Sequence, residues 1–199
     1  YGCRTWHCRP FPFSRLYERT RLILWEMADM LSLDLVDKGV VTNQIVLTVG
    51  YDKESLADGH YTGEVVCDHY GRKIPKHAHG TQNLGRHTSS TRKIIDATMA
   101  LFDRIIDKTL LARRLNLTAC NVIREEDIPE IESYEQISLF DMAEAANADN
   151  NAEEKERALQ EAMLLIKHKY GKNAILKGTN YTEGATARER NRSIGGHKA

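Results

Sequence analysis

From Leu16 onward the apolar positions fall into a helical rhythm: Leu16, Thr20, Ile23, Leu24, Met27, Met30, Leu31 and Leu35 share one face. Gly39 stands where a helix-ending glycine belongs, so the pattern predicts a helix over this stretch. The period then drops to two. In NQIVLTVGYD, Ile45, Leu47 and Val49 alternate with Gln44, Val46 and Thr48, which predicts a half-buried strand. Residues 52–88 are polar and punctuated by Gly59, Gly63, Gly71, Gly80 and Gly85; with short strand-like pieces at EVVCDHY and RKIP, they read as a long loop or hairpin. TSST at 88–91 offers N-caps for a second helix, whose Ile94, Ile95, Thr98, Met99, Phe102, Ile105 and Ile106 form a continuous apolar stripe. RRLNLTACNVI predicts a second strand, with Leu115, Leu117 and Ala119 inward and Arg114, Asn116 and Thr118 outward. EEKERALQEAMLLIKHKYG predicts a third helix, ending at Gly171 before a basic tail. The opening YGCRTWHCRPFPFSR, with Pro10 and Pro12, has no clear period and reads as a linker or a residual first strand.

These elements stack as an α+β layer, with helices covering one face of an antiparallel sheet. The uncovered face carries Gln44, Thr48, Arg114, Asn116 and Thr118, beside a hairpin region holding Arg72, Lys73, Lys76, Arg86, Arg92 and Lys93. A cationic, hydrogen-bonding sheet surface suits a phosphate backbone, which supplies most of the affinity in sequence-independent nucleic-acid binding. For RKIPK alone, a solvated surface turn explains the residues equally simply.

Length and charge narrow the classes. A chain of 199 residues accommodates one ordinary core and a tail. Lys plus Arg equal Asp plus Glu at 28 each, yet the charges separate along the chain. Residues 125–154 contain no Lys or Arg, whereas 164–199 carry eight against Glu183 and Glu189. Cys3, Cys8, Cys67 and Cys120 show no disulfide framework, and neither a secretory segment nor a membrane-length apolar run is visible, so the expected compartment is the reducing cytoplasm. The first residue is Tyr1 rather than Met, which reads as a processed or partial N-terminus.

Enzyme chemistry finds little to work with. Glycine-rich phosphate loops, a nucleophile elbow and the kinase motif set are not visible in the sequence. Asp29, Asp34 and Asp37 lie on the first helix, where alternating charge and core residues suit amphipathicity better than a metal site. Cys67, His69, His77 and His79 lack the paired spacing of a structural zinc site; His77 and His79 are also placed to line a phosphate groove with Lys73 and Lys76.

EQISLFD, from Glu135 to Asp141, sets Leu139 and Phe140 inside a strongly acidic stretch. Two explanations stand at this level: a docking motif with apolar anchors and flexible flanks, or a last strand folded back on the core.

QISLF, Gln136 to Phe140, resembles the pentapeptide by which bacterial DNA polymerases and repair factors dock on the sliding clamp, with Ile137 in place of Leu. EMADMLSLDLVDKGVVTNQIVLTVGYD, YGRKIPKHAHGTQNLGRHTSSTRKIIDATMALFDRI and LLARRLNLTACNV resemble the little-finger domain of Y-family translesion polymerases of the UmuC/DinB kind. The tail KYGKNAILKGTNYTEGATARERNRSIGGHKA is similar to the C-terminal end of UV-resistance polymerases of Gram-positive bacteria. The resemblance implies a βαββαβ domain over 15–124, a four-stranded and mainly antiparallel sheet, an acidic linker over 125–151, and a helix and basic tail over 152–199.

It also implies partners. Primer-template DNA would meet Arg72, Lys73, Arg114 and Asn116 by that match, and the basic hairpin region adds Lys76, Arg86 and Arg92; a bacterial sliding clamp would meet Gln136, Ile137, Leu139 and Phe140. The catalytic carboxylates and their Mg²⁺ belong, in that family, to a palm domain that this chain does not contain, so no cofactor is expected here and the chain reads as a C-terminal fragment. Rival expectations are an adaptor that docks on the clamp without DNA, and an RNA-binding sheet domain, against which the missing aromatic RNP1 pattern counts.

Overall fold

The computed structural model describes residues 2–7, 16–57, 61–128, 141–194 and 197–198. Gly2–His7 forms strand β1, Tyr17–Asp37 helix α1 and Val40–Tyr51 strand β2. A short hairpin of β3, Val65–Cys67, and β4, Lys73–Pro75, leads into β5, Ala78–Thr88. Helix α2, Thr91–Ile105, and strand β6, Ala112–Arg124, complete a βαββαβ unit with the β3–β4 hairpin inserted.

The main sheet has the order β1-β6-β2-β5, and every neighbouring pair is antiparallel. β1 and β2 therefore run the same way with β6 between them, and β5 and β6 run the other way with β2 between them. The crossovers through α1 and α2 step in opposite directions from oppositely directed strands. Right-handed connections then bring both helices to the same face. Ile23, Leu24, Met27, Leu31 and Leu35 of α1 and Ile94, Leu101 and Phe102 of α2 pack there with Ile45, Leu47, Leu115 and Leu117 of the sheet, all fully buried. The predicted alternation in β2 and β6 holds: Ile45, Leu47, Val49, Leu115, Leu117 and Ala119 face the core.

At the sheet edges one open alternative is decided and one expectation changes. The first strand exists: β1 pairs with β6 from Gly2 opposite Val122 to His7 opposite Asn116, despite its unpatterned sequence. Residues 78–88, expected within a loop, form the edge strand β5, paired with β2 from Thr42–Thr88 to Val49–Ala78. The core side of β5 shows why periodicity did not reveal it. Ala78, Gly80, Gln82 and Leu84 occupy the half-buried positions, and a Cβ at Gly80 would lie 2.8 Å from Leu101 Cδ1 and 2.9 Å from Ile105 Cγ2. Close approach of α2 requires glycine there, which removes an apolar beat.

Beyond the sheet, helix α3 runs over Asp141–Tyr170, beginning well before the start expected near 152. Its far half docks on the first turn of α2. The Glu156 carboxylate accepts from the Ser90 hydroxyl at 2.6 Å and from the Arg92 backbone N–H at 2.8 Å, where the helix dipole favours negative charge. Buried Gln160 donates to the Ser89 carbonyl at 3.0 Å and to the Thr91 hydroxyl at 2.8 Å.

Gly171, at φ +96°, ends α3 as expected. The basic tail follows it. Residues 172–192 turn back along α1 and include the short helix α4, Ala187–Arg190. Glu26, fully buried on α1, accepts from Asn180 Nδ2 at 3.2 Å, Thr186 N–H and hydroxyl at 3.0 Å each, Ala187 N–H at 3.1 Å and Arg190 at 3.1 Å. Lys177 meets Asp29 at 2.6 Å. Asp29, weighed as a metal carboxylate, is thus one anchor of a C-terminal strap, and two tail cations are engaged in the fold. None of the described helices is long and apolar enough to cross a membrane.

Candidate nucleic-acid interface

With both helices and α3 on one side, no described element covers the other face of the sheet. Outward positions place Gln44, Val46 and Thr48 of β2 between Thr118 and Asn116 of β6 and Asn83, Thr81 and His79 of β5, as register dictates. Gln44 Nε2 donates to Asn83 Oδ1 at 3.0 Å, and Thr48 Oγ1 lies 2.9 Å from His79 Nδ1. These cross-strand bonds fix the polar side chains in an ordered row.

One end of this face deepens into a cleft of about 860 Å³ between the sheet and the β3–β4 hairpin. It brings together Arg72, Arg114 and Asn116 of the expected set, and adds Lys53, Tyr70 and Arg113. Arg114 is exposed on β6 opposite Gly50, and neither it nor Lys53 or Lys73 has a carboxylate partner among the described residues. Arg113 differs: its guanidinium reaches Asp52, whose side chain is almost fully buried, at 2.5 Å.

The hairpin is internally braced. Asp68 accepts from the backbone N–H groups of Tyr70 and Arg72 at 2.9 Å each, and from Arg72 Nε at 2.7 Å. The Arg72 hydrogen bonds hold the Asp68 carboxyl below its ordinary value, and that same carboxylate raises the guanidinium's. Arg72 therefore reaches the cleft already neutralised in part. Lys76 ion-pairs with Glu64 at 2.6 Å across the hairpin, which raises the ammonium's pKa through the hydrogen bond. Lys73 sits on β4, exposed.

Arg86 and Arg92 lie elsewhere. Arg86, at the far end of β5, shares Glu153 of α3 with Lys93. Burial pushes the Glu153 carboxyl up, but the two cations outweigh it and hold the group below its ordinary value. Arg92 occupies the first turn of α2 beside Glu156. Both belong to the docking region of α3. Gln136, Ile137, Leu139 and Phe140 fall outside the described residues.

Among the described residues no three His, Cys, Asp or Glu side chains are grouped to hold a metal ion. His77 lines the cleft, while His79 is on the sheet face bound to Thr48. Sequence reasoning missed Lys53, Tyr70 and Arg113. For Tyr70 a signal was present: Asp68, two residues ahead, and Gly71, directly behind it, spell a side-chain-capped turn that lifts the intervening ring outward.

The family comparison assigns this helix-backed βαββαβ sheet, with its basic hairpin, to a class: the C-terminal domain of Y-family DNA polymerases. The chain belongs to that family, since the model of the impB/mucB/samB family C-terminal domain matches residues 8–139. It is also similar to a Bacillus subtilis (strain 168) protein described as "Putative UV-damage repair protein UvrX", 28% identical over 183 residues. That match covers 92% of this chain and so runs past the family domain into the α3 and strap region; the chain spans 35% of the relative's length.

Proposed function

We propose that this chain is the DNA-holding, clamp-tethering C-terminal part of an error-prone translesion polymerase that acts in the repair and tolerance of UV damage. The observation that carries the DNA half is the open sheet face ending in a cleft where Arg114 and Asn116 stand beside Lys53 and the braced hairpin. Helices seal the opposite face, so a duplex backbone laid on the open face meets hydrogen-bonding side chains, and cations that have no carboxylate partner among the described residues, without disturbing the core. Family membership and the description of the Bacillus subtilis relative support the repair role.

Arg114, Asn116 and Lys73 are the principal phosphate contacts in this proposal, with Arg72 and Lys76 as braced neighbours. Arg86 and Arg92 contribute from the α3 side only where a long duplex extends that far. The clamp half rests on QISLF, whose Leu139 and Phe140 supply two apolar anchors in a strongly acidic stretch. Nucleotidyl transfer, and the Mg²⁺ it uses, fall to a palm domain and not to any carboxylate of this chain.

Fluorescence anisotropy with primer-template DNA and with a bacterial sliding clamp tests both halves. Arg114→Ala should weaken DNA binding and leave clamp binding unchanged, and the double variant Leu139→Ala/Phe140→Ala should do the reverse. DNA affinity should fall with salt at a log–log slope of roughly −3, as for three or four neutralised phosphates, while clamp affinity changes little. Wild-type protein that binds the clamp but no DNA supports the adaptor alternative instead.

A further inference from the structure

The tip of the β3–β4 hairpin displays an aromatic ring that the fold does not use. Tyr70 is 78% exposed, yet its backbone is fastened on both sides. Its N–H donates to Asp68, and Gly71, at φ +73°, closes the turn by donating to the Asp68 carbonyl at 2.9 Å. The Arg72 guanidinium, itself held by Asp68, lies over the ring at 5.0 Å from its centroid, and His69 meets it edge-on at 5.4 Å. With one face backed by a cation, the opposite face is available to solvent.

A large exposed ring that is already immobilised loses little freedom on stacking with a planar partner. Tyr70 also borders the cleft that holds Arg114 and Lys53, which have no carboxylate partner among the described residues. An aromatic platform beside unpaired cations is the chemistry that takes single-stranded nucleic acid: the ring stacks a base whatever its identity, and the cation holds the adjoining phosphate.

We propose that Tyr70 is a stacking platform for an unpaired template base, with Arg72 positioning the ring and Arg114 taking the flanking phosphate. The inference rests on the DNA reading above and adds a site that distinguishes a template overhang from duplex. Asp68 is a positioning residue, because it acts only through the turn and Arg72.

The test measures anisotropy of the 199-residue chain with three DNAs: a blunt duplex, the same duplex with a single-stranded template overhang, and that overhang made abasic so that phosphates remain but bases are gone. The wild type should bind the natural overhang at least about fivefold tighter than the abasic one. Tyr70→Ala should bring the natural and abasic overhangs to equal affinity, and Tyr70→Phe should restore the difference; a preference that survives Tyr70→Ala overturns the platform. Because Tyr70 is exposed, these variants leave the core intact. Equal binding of natural and abasic overhangs, with duplex binding retained, overturns the platform and spares the DNA reading. Failure to bind any of the three overturns both.

Discussion

Glu26 lies on α1 among residues of its core-facing side. A glutamate on the third turn of an amphipathic helix is ordinarily a solvated neighbour of the apolar stripe, but here it is fully buried and satisfied from the C-terminal strap. Removing one partner of a buried ion pair strands the other, so Glu26→Ala should destabilise the protein by about 3 kcal/mol, read by urea denaturation. Limited proteolysis within 172–192 should accelerate in the same variant. A loss below about 1 kcal/mol would mean that the strap holds without this carboxylate. Leu115 and Leu117 needed no such context: alternation alone put them in the core, and they are there.

At the scale of elements, β5 and α3 carry the sharpest consequences. Gly80→Val forces α2 off the edge strand, because the new atoms meet fully buried Leu101 and half-buried Ile105; overpacking of this kind costs about 1–3 kcal/mol, measurable as a shift in the denaturation midpoint. The docking of α3 is held by carboxylates and should respond to acid. Glu153 sits below its ordinary value in the folded protein, so its contribution is complete above the unfolded carboxylate pKa and disappears as the pH falls through the folded one. Protection of the α3 amides against exchange should therefore fall as the pH drops through and below the ordinary carboxylate range, and Glu153→Gln should remove that component of the acid response. Element type was legible for α1, α2, β2 and β6, whose apolar faces follow one period. β1 and β5 were not, because each is an edge strand with little apolar signal of its own, and pairing partners supply what pattern does not.

For the whole molecule, the C-terminal segments act as a brace. α3 is fastened to the start of α2, and the strap is fastened to α1, so the two sheet-covering helices are linked from outside. Deleting 172–199 leaves Glu26 and Asp29 without these partners and should lower Tm by about 6–12 °C, the shift expected for roughly 3 kcal/mol in a chain of this size. None of the described strap contacts reaches the open sheet face, so DNA affinity measured well below the new Tm should stay within about twofold. A large loss of DNA affinity would place the strap in the interface and overturn its assignment as a brace.

Legible in the order of amino acids were the α+β class, the two principal helices, the inward and outward sides of the central strands, and the glycines that end α1 and α3. All of these are local matters, set by periodicity and backbone freedom within a few residues. Tertiary structure alone decided which cations are available. Arg72, Lys76, Arg86, Lys177 and Arg190 each meet a carboxylate distant along the chain or across a turn, whereas Arg114 and Lys73 do not among the described residues. A charge in a sequence has a position, but its partner is chosen by the fold, because attraction falls with distance in space and takes no account of separation along the chain.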